Sequence, residues 1–169
     1  MKLKKIYEEV IREGIAADPR DKMQIREYLQ KQKERYQSLS SQEKISFDKE
    51  TLTNPYADSR LLNGDPEAEI RTAIVGIDID SSELLFINTH NKENKKQKID
   101  LAVSHHPQGI AYASFYEVMD MQSDIFHNMG VPINIAEGLV DERKKEVGRK
   151  IHTSHHHRVT DMARLLNIP

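Results

Sequence analysis

Leu3, Ile6, Tyr7, Val10 and Ile11 recur at intervals of three or four residues, the period of a helix with one apolar face. Gly14 follows as a candidate C-cap. Asp18-Pro19 reads as an N-cap with proline at the first helical position. It opens a highly charged helix to about Gln37, whose apolar face is thin: Met23, Tyr28, Leu29 and Tyr36. Ser40 to Glu43 is a capping box and predicts a short helix to about Lys49. The pattern over residues 1–52 is therefore a polar helical extension that lies on a domain or against a partner. Turn-forming residues gather at Asn54–Ser59 and Asn63–Pro66 and mark the entry to a main domain, residues 53–169.

In that domain the period changes. Thr72 to Asp80 is β-rich and then alternates acidic with apolar residues, which predicts a strand. Ser81 to about Asn88 predicts a helix with Leu84 and Leu85 inward, Asn91 to Lys98 a charged loop, and Ile99 to Ser104 a second strand. Phe115 to Met129 reads as a helix stopped by Gly130, Val131 to Ala136 as a short strand or extended segment, and Leu139 to Ile151 and Val159 to Leu166 as further helices. Strands alternating with helices predict an α/β fold with a mixed or mostly parallel sheet and flanking helices. Asn167-Ile168-Pro169 has the form of a helix-to-strand turn, so the pattern asks for a further strand and reads as part of a longer protein.

Composition narrows the class. The 169 residues fit one main domain with a sizeable core. The net charge of −2 gives no electrostatic case for nucleic-acid binding. Cysteine is absent, which excludes disulfides and thiolate metal sites. No apolar run approaches the roughly 20 residues of a membrane span, and the N-terminus lacks a signal-peptide core, so a cytoplasmic protein is expected.

Two clusters carry candidate chemistry. The apolar run Leu101-Ala102-Val103-Ser104 leads into His105-His106-Pro107, and the open end of such a strand is where α/β proteins place their sites. Neighbouring strand residues point to opposite faces, so the two imidazoles serve one site only if the chain leaves strand geometry there, which Pro107 favours. They are either metal ligands or polar residues bonded to backbone at a strand exit. His155-His156-His157 follows, with Asp161 one helical turn after His157. That pair is either two ligands on one helix face or a helix N-terminus with a favourable acidic residue. His155 and His156 read as solvated. Asp78 and Asp80 close the first strand, with Asp80 favoured as an N-cap; Glu137 sits at a segment end with no assigned role. There is no glycine-rich phosphate loop and no nucleophile elbow.

From Asp100 to Pro107 the chain resembles the NIF-three family, also labelled the GTP cyclohydrolase I type 2 homologues. Val75-Gly76-Ile77-Asp78 resembles that family's first strand, Val131 to Gly138 a stretch of one prokaryotic branch, and His157 to Asp161 the place where the family carries a histidine and then a ligating aspartate. The resemblance runs from about Asn54 to Pro169. It implies a two-metal site in a ring-like homo-oligomer, with His105, His106 and Asp161 as ligands and His157 close by as a general acid or base. The family completes its site with a later histidine and glutamate. Mixed imidazole and carboxylate ligands admit Zn, Mn, Fe, Co or Ni. Two functions remain open: a metal-dependent hydrolase acting on a nucleotide or phosphoester, or a non-enzymatic metal-binding scaffold or regulatory interaction protein. No membrane or nucleic-acid partner is expected.

Overall fold

The computed structural model describes all residues from Met1 to Pro169. Helix α1 spans Leu3–Ala17 and buries Leu3 and Ile11. It runs through Gly14, where the Tyr56 ring packs against the helix, so the glycine serves a contact and not the expected cap. Helix α2 spans Lys22–Ser38 and is capped by Asp21 with Gln24 in a reciprocal box. The expected cap, Asp18, is used otherwise: the Arg20 amide and guanidinium both turn back onto its carboxylate. The inward face of α2 is anchored by Ile25, while Met23 is exposed. The Ser40–Glu43 box opens helix α3, Ser41–Ser46, and a 3-10 helix follows at Lys49–Leu52.

The turn-rich segment at 54–60 is a polar junction. Tyr56 donates to Asp18 at 2.8 Å, and Asn54 donates to Tyr7 at 2.9 Å. Arg60 donates to Asp48 at 2.9 Å and to the Tyr56 carbonyl. These bonds join α1, the start of α2 and the 3-10 helix. The Asp18–Arg20 pair, 2.8 Å apart, is almost wholly buried, with side chains 0% and 6% exposed. Burial alone would raise the Asp18 pKa, but the bonds from Arg20 and Tyr56 outweigh it and hold the carboxyl below its usual value.

Strands β1, Ala73–Gly76, and β2, Leu101–Ser104, pair in parallel with Ala73 opposite Leu101 and Gly76 opposite Ser104. Parallel strands need a crossover, and helix α4, Ser81–Glu93, supplies it. Asp80 caps α4 in a box with Glu83, as expected. One face of the sheet lies on a core of Ile79, Leu84, Ile87, Val159 and Ile168. Ile87 completes the inward face of α4; Leu85, expected inward, points to solvent at 50% exposure. The base of β2 packs differently: Leu101 meets Leu3 of α1 and Ile70. The helical N-terminus thus contributes to the core of the α/β unit. On the other face Val75 and Ile77 remain open.

Past β2 come helix α5, Gly109–Ala113, which the sequence pattern did not suggest, and a 3-10 helix at Phe115–Met119. Helix α6, Asp120–Asn128, follows and ends at Gly130 with φ of 96°. The helix expected over 115–129 is thus broken into two. Helix α7 spans Ile133–Ile151 and absorbs the segment expected to be extended. Val131, Ile133 and Ile135 favour a strand locally, but burial of Ala136 and Val140 one turn apart against α6 favours the helix. Helix α8, Arg158–Leu166, ends in a left-handed Asn167. Ile168 then returns to the core, and the Pro169 carbonyl accepts the Ala102 amide at 2.9 Å. No helix is long and apolar enough to cross a membrane.

Asp18→Asn removes the nearer counter-ion of the buried Arg20, leaving only Asp124 at 4.0 Å, and is expected to cost about 3 kcal/mol in chemical denaturation. Because the folded pKa of Asp18 is lowered, its contribution is complete above the unfolded carboxyl value of about 4 and is lost as pH falls through the folded value. Stability measured from pH 5 downward should therefore fall less in D18N than in the native chain.

Candidate functional site

The site grows from the C-terminal ends of β1 and β2. Pairing continues past the two strands: the His105 amide donates to Gly76 O at 2.9 Å and the His106 amide to Ile77 O at 2.8 Å. The Ser104 hydroxyl accepts the Ile79 amide at 3.2 Å and donates to His106 O at 2.7 Å. The chain then turns at Pro107. This lacing brings residues 104–106 against 76–79, and the two strand ends present their side chains together.

The outcome separates the adjacent histidines. His105 lines an apolar cavity of about 260 Å³ bounded by α1, β2, α8 and residues 58–63. His106 lines a polar cleft of about 540 Å³ with Asp78, Tyr112, His155, His156 and Arg158. Their rings remain neighbours, with centroids 5.3 Å apart. In the cleft, His106 Nδ1 lies 2.8 Å from Asp78 Oδ1. A carboxylate only accepts, so Nδ1 carries the proton and the imidazole turns its Nε2 away from Asp78. Across the cleft, Arg158 holds both Asp80 oxygens at 3.2 Å. That is long for a charge-assisted bond, and both side chains are exposed.

One wall of the cleft is clamped. Gly109 donates its amide to His156 O at 3.1 Å, and the Tyr112 ring packs at a tilt of 54° to the His156 ring with centroids 5.6 Å apart. His156 Nδ1 is buried and has no hydrogen-bond partner. Gly109 adopts φ of 57°, and Thr160 of α8 packs where its side chain would be. The clamp therefore joins α5, α8 and the 152–157 loop.

His157, the expected acid or base, stands at the N-cap position of α8 and makes no side-chain cap bond. It lines neither cavity, whereas His155 and His156, read as solvated, line the cleft. Asp161 is exposed and bonded to Arg164 at 2.9 Å. His157 and Asp161 meet through backbone, with the Asp161 amide 2.7 Å from His157 O. No three histidine, aspartate or glutamate side chains converge as a group able to hold a metal ion. The cleft residues that sequence reasoning left without a role are Arg158, Tyr112 and Asp78 as partner to His106. Only Asp78 had a visible signal, an acid at the end of a strand beside a strand ending in histidine. Glu137 lies on the exposed surface of α7.

No family model matches the chain, and no curated protein matches it. Among solved structures it is similar to a NIF3 superfamily protein from Sphaerobacter thermophilus, with 25% identity and a TM-score of 0.57. The likeness covers 67% of this chain and 38% of that one, so the chain spans well under half of that protein's length. The α/β fold is therefore NIF3-like, with a helical N-terminus.

Gly109→Ala would force a side chain onto Thr160 Cγ2, 2.7 Å from the ideal Cβ position, at a positive φ. A loss of about 1–3 kcal/mol is expected, with faster amide exchange in α5 and the 152–157 loop than in α4. Exchange mass spectrometry reads both.

Proposed function

We propose that the protein binds a small phosphorylated molecule, such as a nucleotide or phosphoester, in the polar cleft at the strand ends and hydrolyses it with His106 and Asp78 as its proton-handling pair. The observation that carries this reading is the 2.8 Å His106–Asp78 contact inside a cleft that also holds Arg158. His106 Nε2 takes a proton from water as the water oxygen attacks phosphorus; the bond from phosphorus to the ester oxygen breaks, and that oxygen leaves with the bonding pair and takes the proton from the imidazolium, which Asp78 steadies while it is charged. Arg158 exchanges from Asp80 to the ligand's anionic group.

A divalent metal is what the sequence resemblance implies. The residues named for it do not fit as they stand: His105 opens to the apolar cavity, Asp161 lines neither cavity, and no third donor joins His106 and Asp78. The second reading, an interaction protein or homo-oligomer, is favoured by the open sheet face, where Val75 is 71% and Ile77 66% exposed.

The test uses the full chain purified without a histidine tag, on a panel of nucleotides and phosphoesters, with metal content measured in parallel. Turnover that falls about 100-fold or more in H106A and D78A supports the proton-handling pair, the usual size of general acid–base catalysis being about 10² to 10⁴. Turnover unaffected by H106A overturns it. A flat panel from a chain that self-associates favours the interaction reading. Stoichiometric metal lost in both H106A and D161A restores the metal reading.

A further inference from the structure

His106 and Asp78 are both open to water, with side chains 57% and 70% exposed. Exposed charge pairs attract weakly, because solvent screens them and two free side chains lose entropy on meeting. Their mutual attraction is therefore too weak to hold the 2.8 Å geometry unaided. Something else must bring the two backbones together, and the bonds around them identify it. Two are main-chain bonds that any sequence could make, from the His105 and His106 amides to Gly76 and Ile77. The remaining two pass through one side chain. The Ser104 hydroxyl accepts from the Ile79 amide, immediately after Asp78, and donates to the carbonyl of His106 itself. Ser104 thus bonds backbone on both sides of the pair. A hydroxyl can do this because it donates once and accepts as well.

We infer that Ser104 is a positioning residue whose hydroxyl fixes the His106 backbone relative to the turn carrying Asp78, and so selects the Nδ1–H form of His106. This rests on the reading that His106 and Asp78 are the working pair. Removing the hydroxyl leaves an amide and a carbonyl unpartnered at the strand ends. The turn then relaxes, and an exposed imidazole released from Asp78 reverts to the Nε2–H form that free histidine favours.

Matched variants isolate the hydroxyl: S104T keeps it, and S104V has the same branched shape without it. The readout is the ¹⁵N spectrum of the His106 ring in the full chain at about pH 8, above the ordinary histidine pKa of about 6.5. D78A serves as the reference for a lost pair. The Nδ1–H population is expected to stay near native in S104T and to fall at least threefold in S104V and S104A, toward the D78A spectrum. A native ring spectrum in folded S104V overturns the inference, as does a D78A-like spectrum in folded S104T. Unfolding of both hydroxyl-free variants with S104T folded also overturns it, because Ser104 would then serve the fold and not the pair. The ring spectrum needs no substrate, so inactivity on the hydrolysis panel with the expected tautomers would reject the catalytic reading and leave the positioning role standing.

Discussion

Two parallel strands of four residues are too short to hold each other by their ladder, since an isolated pair of strands is marginal in water. Their pairing persists because one face is sealed. Leu84 and Ile87 of α4 and Val159 of α8 pack beneath it, and Ile168 closes the end. Each such side chain contributes about 1.5–3 kcal/mol by leaving water. The exposed His106–Asp78 pair contributes about 0–1 kcal/mol. The core therefore sets the site, and the site adds little to the core. Parallel direction has a second effect: it places the C-terminal ends of both strands side by side, so an aspartate closing one and a histidine closing the other meet across the gap.

The helical N-terminus is tied to this unit by two different kinds of contact. Leu3 enters the apolar cluster at the base of β2. Farther out, Asp18, Arg20, Tyr56 and Arg60 form a buried polar junction whose members are hydrogen-bonded. Such a junction is a weak source of net stability but a demanding one, because each group needs its partner to be tolerated away from water. It fixes how the helices meet the turn at 54–60. The same demand raises the Tyr56 pKa, through burial first and then through its bond to Asp18.

The two sides of the strand end differ in chemistry. His105 faces carbon-rich walls, and His106 faces a polar cleft with acids and an arginine. Alternation along an extended chain accounts for the separation, and the turn at Pro107 keeps the two rings within 5.3 Å. Adjacent histidines in a sequence suggest one shared site; here they divide between two cavities that share Pro107 and Gln108 as lining. The clamp of Gly109 and Tyr112 on His156 then closes the polar side with a loop far away in sequence.

By itself the sequence determined the elements whose signals are local. The capping boxes at Ser40 and Asp80, the stop at Gly130, the two strands and the α/β order follow from side chains bonding their own backbone and from the apolar period. It also marked a strand over Ile99 to Ser104 whose C-terminal end delivers His105 and His106 to a cleft. Tertiary contact decided the rest. Asp18 became a buried partner of Arg20 and not a cap, Leu85 turned outward while Ile87 turned in, and the β-branched run at 131–135 joined α7. Asp78 found His106 over 28 residues, whereas Asp161 engaged Arg164 on its own helix. The physical reason is one of range. Caps and periods are settled within a turn of chain, while the partner of a charge or the direction of a side chain depends on what the fold brings from a distance.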